Sequence, residues 1–164
     1  MMLTTKGRYA VMALVDIAGK SRFIEGKKAI SLAEVAESQN IPLAYLEQIF
    51  CKLKNAGIVR SQRGPGGGYV INKCAEELSV AEIINAAEEE IKMTRCGGEI
   101  KSPCMTGKGK CSTHDLWDGL SETIDNYLES ITLADVVNKR VGARVESRVM
   151  SEKVTSDTQQ SSIN

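Results

Sequence analysis

Four times along this chain a hydroxyl residue stands three places before a carboxylate: Ser31 before Glu34, Ser79 before Glu82, Ser112 before Asp115, and Thr132 before Asp135. Such a pair satisfies two orphan amides at a helix N-terminus reciprocally, so each marks a helix start. Together with apolar residues recurring at three- and four-residue steps, they predict helices over about 5–20, 31–39, 42–56, 79–90, 112–130 and 132–138. The pattern changes once. Ile58-Val-Arg-Ser61 and Tyr69-Val-Ile71 are β-prone runs on either side of Arg63-Gly-Pro-Gly-Gly-Gly, which predicts a two-stranded hairpin. The chain is therefore read as mainly α with one small β element.

The formal net charge is zero, but it is unevenly spread. Residues 1–70 carry ten Lys/Arg against five Asp/Glu, whereas 71–137 carry six against thirteen. A basic first half suits a phosphate backbone, and an acidic second half does not. The apolar run Tyr9 to Ala18 is broken by Asp16, so it reads as a helix burying one face rather than a signal peptide. No segment has the roughly 18 apolar residues of a membrane span, so no membrane partner is expected. The five cysteines follow no secreted disulfide framework, and a cytoplasmic, reducing location is expected. Three regions are anticipated: a DNA-binding domain over 1–78, a ligand-bearing loop with further helices over 79–137, and a polar, disordered tail over 138–164.

Helix 31–39, the pair Asn40-Ile41 and a second helix from Pro42 have the form of a helix-turn-helix. Leu32, Val35 and Ala36 point inward from the first helix, and Leu46, Ile49, Phe50 and Leu53 from the second. Asn40 tolerates the left-handed backbone that the tight turn needs, and Pro42 suits a first helical turn. Tyr45, Glu47 and Gln48 then face outward; Gln pairs with an adenine edge and Glu accepts from cytosine. An αα-hairpin packed within a core would share this pattern. The glycine-rich tip favours DNA: Gly66 and its neighbours let the backbone approach another surface, with Arg63 beside them. Neither a phosphate-cradling P-loop nor a dinucleotide fingerprint fits, because no Lys-Ser or Lys-Thr follows and Tyr69 replaces the third glycine. No nucleophile–base pair indicates an enzyme.

Cys96, Cys104, Cys111 and the sole histidine, His114, lie within nineteen residues. Thiolates plus an imidazole suit an iron–sulfur cluster or zinc, although no short Cys-x-x-Cys knuckle of a tight zinc site is present. A zinc staple and an unligated loop both remain open on the residues alone. Cys51 reads as a small buried hydrophobe beside Phe50. Trp117, Leu120, Ile124, Leu128 and Ile131 form a stripe that either seals the core or pairs with another copy.

Leu3-Thr-Thr-Lys-Gly-Arg-Tyr-Ala10, Tyr45-Leu-Glu-Gln-Ile-Phe50 and Arg63-Gly-Pro-Gly-Gly-Gly-Tyr69 resemble the IscR family of iron–sulfur cluster regulators, which are winged-helix transcription factors. The resemblance covers about residues 1 to 137. It implies a winged helix-turn-helix with a two-stranded wing, then a metal-binding loop and a long dimerisation helix bearing Trp117, Leu120, Ile124 and Leu128. Tyr45, Glu47, Gln48, Arg63 and Gly66 fall on the DNA-facing positions. Cys96, Cys104, Cys111 and His114 fall on the ligands of a labile 2Fe–2S cluster. His114 separates the chain from relatives that sense nitric oxide or iron with a 4Fe–4S cluster. The implied partners are double-stranded promoter DNA, a second copy in a homodimer, and iron–sulfur cluster donor proteins. The implied role is repression of cluster-assembly genes. Two departures stand out: Pro42 and Ala44 replace serines of the family, and both intervals between cysteines are longer than usual.

Overall fold

Leu32–Gln39 (α2) begins as its sequence dictates. Ser31 Oγ accepts from the Glu34 amide at 3.2 Å, and the Glu34 carboxylate accepts from the Ser31 amide at 2.8 Å. The computed structural model describes residues 5–22, 29–87 and 109–143. The first helix, α1, spans Thr5–Arg22 and buries Ala10, Ala13, Leu14 and Ile17, one stripe at helical spacing. Asn40 closes α2 in the left-handed region (φ 51°, ψ 47°), and the Ile41 amide returns to Ala36 O at 3.1 Å. The next helix, α3, spans Leu43–Asn55 with Pro42 at the N-cap, so it begins one residue later than expected. Its inward stripe is Leu46, Ile49, Phe50 and Leu53, all buried.

Two strands follow, β1 (Val59–Gln62) and β2 (Gly68–Ile71), paired antiparallel with Val59 opposite Ile71 and Gln62 opposite Gly68. Pro65 followed by Gly66 at φ 73°, closed by the Gly67 amide on Gly64 O at 2.8 Å, meets the demands of a type II turn. The hairpin does not stand free. Ile30 and Tyr69 exchange backbone hydrogen bonds of 3.0 and 2.8 Å, which tie the wing to the residue just ahead of the α2 cap.

Helix α4 (Val80–Ala87) is apolar on nearly every side and inserts against α1 and α3. Helix α5 spans His114–Ser130, and α6 spans Leu133–Val137 behind a second complete capping box, Thr132 with Asp135. The chain returns from α5 beside the start of α4: Val80 N donates to Ile131 O and Leu133 N to Leu78 O, both at 2.8 Å. One core joins Leu14, Phe50 and Leu53 with Leu78, Ile83 and Leu133, so buried packing runs continuously across residue 78. Residues 138–143 lie at the start of the anticipated polar tail. Val141 nonetheless packs with Val80, Ile84 and Ile131, and Arg140 N donates to Asp135 O at 2.8 Å.

A three-membered polar tie fixes α2 to α1. Lys20 Nζ lies 2.6 Å from Asp16 Oδ2, and the Ser38 hydroxyl donates to the same oxygen at 2.7 Å. At the wing's base Lys73 pairs with Glu82 of α4. Among the described residues, no helix is long and apolar enough to cross a membrane.

Candidate nucleic-acid interface and metal centre

Because α3 gives one stripe to the core, the opposite face is left for a partner. Leu43, Ala44, Glu47, Gln48, Cys51 and Lys54 are all exposed there. Glu47 and Gln48, expected to meet DNA, therefore lie on one open face. Tyr45 differs: it is half-buried, its ring edge-on to Tyr9 at 5.6 Å, so part of it braces α3 against α1. Arg60, Arg63 and Gly66 on the wing are exposed. Phe50 and Tyr69 pack at 4.9 Å between ring centres, so an aromatic contact joins α3 to the strand that carries the wing. Helix and wing thus form one braced unit with polar and basic groups outward.

Cys51 corrects the sequence reading. It is exposed, not buried. Spacing could have revealed this, since Cys51 follows Glu47 by four residues and Gln48 by three, which puts it on their face. Lys6 was not singled out from the sequence. It lines a cleft with Tyr45, Gln48, Ile49, Lys52 and Ala87, which brings a cation from α1 beside the exposed face of α3.

Of the four expected metal ligands, Cys111 and His114 are described, and Cys96 and Cys104 lie outside the described residues. The His114 amide donates to Cys111 O at 3.1 Å, so one closed turn carries both donors at the root of α5. Both residues are half-buried. A thiolate and an imidazole three residues apart on one turn fit half of a three-cysteine, one-histidine site. Among the described residues alone, no group of three or more such donors gathers. The expected cap at Ser112 does not form: the N-cap residue is Thr113, and its hydroxyl makes no cap bond. That hydroxyl instead accepts from the Trp117 indole N–H at 3.2 Å and lies 3.7 Å from Cys111 Sγ.

No residue of α5 is buried. Leu116 is 63% exposed, Trp117 37% and Tyr127 40%, while Leu120, Ile124 and Leu128 are half-buried. Among the described residues, the far end of α5 packs through Leu128 on the Val80–Ile84–Ile131 cluster.

Comparison with known proteins agrees with this architecture. The chain is 44% identical over 158 residues to the HTH-type transcriptional regulator IscR of Serratia proteamaculans, covering 96% of this chain and 89% of that one. Among solved structures, IscR of T. potens matches with a TM-score of 0.66 at 30% identity, over 85% of this chain and 88% of that one. The oxidised form of Staphylococcus aureus CymR matches with a TM-score of 0.64 at 33% identity, over 84% and 96%. The family model for Rrf2, described as iron-dependent transcriptional regulators, matches residues 3–139. A winged-helix reader followed by an exposed helix rooted in a Cys/His turn accords with that match, and the chain belongs to the Rrf2 family of DNA-binding transcriptional regulators.

Proposed function

We propose that this regulator is a cytoplasmic homodimer that reads double-stranded promoter DNA and represses iron–sulfur cluster-assembly genes according to cluster supply. Cys96, Cys104, Cys111 and His114 would hold a 2Fe–2S cluster received from iron–sulfur cluster donor proteins. When bound, that group supplies a charge and redox state that differ from those of the metal-free loop. Gln48 and Glu47 read base edges, Arg63 and Gly66 bring the wing to the backbone, and Tyr45 holds the reading helix on α1. The apolar face of Trp117, Leu120, Ile124 and Leu128 pairs with its copy, which sets two readers on a two-fold axis.

One observation carries the link between metal and DNA. The segment bearing Cys96 and Cys104 leaves α4 at Ala87, which lines the same cleft as Gln48, and it re-enters the described structure before Cys111 at the root of α5. Its two ends thus meet the DNA reader and the exposed helix. Cluster binding through that segment would couple the loading state to the DNA reader and the exposed helix, as a sensor requires.

Selection of duplex DNA from a randomised pool, with cluster-loaded and metal-free protein in parallel, tests this reading. The expected result is a two-fold motif whose half-sites lie about one helical turn, roughly 34–36 Å, apart, with affinity that depends on loading. Equal affinity of both forms for every selected sequence would contradict the sensing role.

A further inference from the structure

Thr113 occupies the N-cap position of α5, where a threonine hydroxyl ordinarily accepts an amide of the first turn. Here it makes no such bond, and the backbone (φ −111°, ψ 13°) is not the extended one seen at the Ser31 and Thr132 caps. The hydroxyl is spent elsewhere. Trp117, four residues on and so on the same helical face, donates its indole N–H to Thr113 Oγ1 at 3.2 Å. The same oxygen lies 3.7 Å from Cys111 Sγ, within reach of a hydrogen bond to sulfur.

The direction of this chain follows from donor chemistry. An indole nitrogen only donates, so Thr113 accepts from Trp117. Between Thr113 and a protonated thiol either atom can donate. A metal-bound thiolate carries no proton, and then the threonine hydroxyl must be the donor. Metal ligation through Cys111 therefore fixes one order, from Trp117 N–H to the Thr113 hydroxyl to the Cys111 sulfur, each bond polarising the next. Groups that hydrogen-bond a ligand atom orient it and tune the metal, and their loss typically costs about 10–100-fold in metal affinity.

We propose that Thr113, held by Trp117, is a positioning residue for the metal centre that donates to the Cys111 sulfur. Trp117, the chain's only tryptophan, thereby reports metal occupancy optically. The inference rests on the reading of Cys111 as a ligand and adds two residues that touch no metal.

The test uses the full, metal-free chain titrated with cobalt(II), whose thiolate charge-transfer absorbance reads sulfur ligation without reference to DNA. Wild type is expected to develop that band while Trp117 emission falls to the same endpoint. Thr113→Val, nearly isosteric and lacking the hydroxyl, is expected to lose about 10–100-fold in cobalt affinity and to shift the band. Thr113→Ser restores both, and Trp117→Phe, which keeps an apolar ring but no N–H, falls between. The far-ultraviolet circular dichroism of each variant confirms that it folds. A wild-type band with Thr113→Val indistinguishable from wild type overturns the proposal alone. Absence of a thiolate band in wild type overturns both the proposal and the ligand assignment beneath it.

Discussion

Gly68 lies directly against Ile30. A β-carbon on Gly68 would stand 2.3 Å from the Ile30 carbonyl oxygen, a separation that real side chains do not tolerate. The approach is that close because the adjacent Tyr69 exchanges both backbone hydrogen bonds with Ile30. The wing is thereby joined to the start of the helix-turn-helix by backbone rather than by adaptable side chains. Gly68→Ala must push β2 away from Ile30, and we expect a loss of about 1–3 kcal/mol, the usual cost of forcing extra atoms into a packed site. Urea unfolding measures it. Unchanged stability would mean that the Ile30 contact yields freely and the wing is not held in this way.

Capping gives a paired prediction. Ser31→Ala removes a hydroxyl that accepts from the Glu34 amide, and it should cost about 1 kcal/mol. Ser112→Ala changes a residue of the same local pattern that does not cap, so its effect should fall within roughly 0.5 kcal/mol of zero. The comparison is made by the same denaturant midpoints at constant m-value.

That contrast also shows what the chain discloses locally and what it does not. Ser31, Glu34 and the left-handed Asn40 settle their conformations within a few neighbouring residues, and they are legible as sequence. So is the inward stripe Leu46, Ile49, Phe50 and Leu53. Ser112 carries the same spacing, but the hydroxyl at the N-cap position is that of Thr113, which Trp117 engages across one helical turn. Cys51 was misread because a residue-type preference was set above its position on the helix. The Tyr9–Tyr45 brace and the Ile30–Tyr69 exchange join segments more than thirty residues apart, and no local pattern announces such a meeting. Cys96 and Cys104 lie outside the described residues, so that half of the ligand set rests on spacing and resemblance.

The reading face predicts two kinds of loss on DNA. Arg63→Ala should weaken binding to all sequences and lower the slope of log affinity against log salt by about 1, as for one phosphate contact. Gln48→Ala should instead relax preference at a single base pair, at about 1–3 kcal/mol. Salt-dependent titrations against cognate and scrambled duplexes separate the two. Exposed Cys51 offers an independent check: alkylation with a bulky maleimide should abolish binding, and prior addition of duplex should slow the labelling.

The part-exposed apolar face of α5 predicts a second protein surface upon it. Ile124→Glu places a charge at the centre of the stripe, where no residue of α5 is buried within one copy. Sedimentation equilibrium should show wild type as a dimer and the variant as a monomer with its fold retained. A variant that remains dimeric would move the interface elsewhere.

Cys96, Cys104, Cys111 and His114 are proposed to hold an iron–sulfur cluster. The most direct test is purification without oxygen, with iron, sulfide and zinc analysis and a visible spectrum, for wild type and His114→Ala. About two irons and two sulfides per chain are expected, as a 2Fe–2S cluster requires, with a spectrum that the substitution alters. Colourless protein carrying one zinc per chain would contradict it and leave a DNA-binding regulator with a structural metal site.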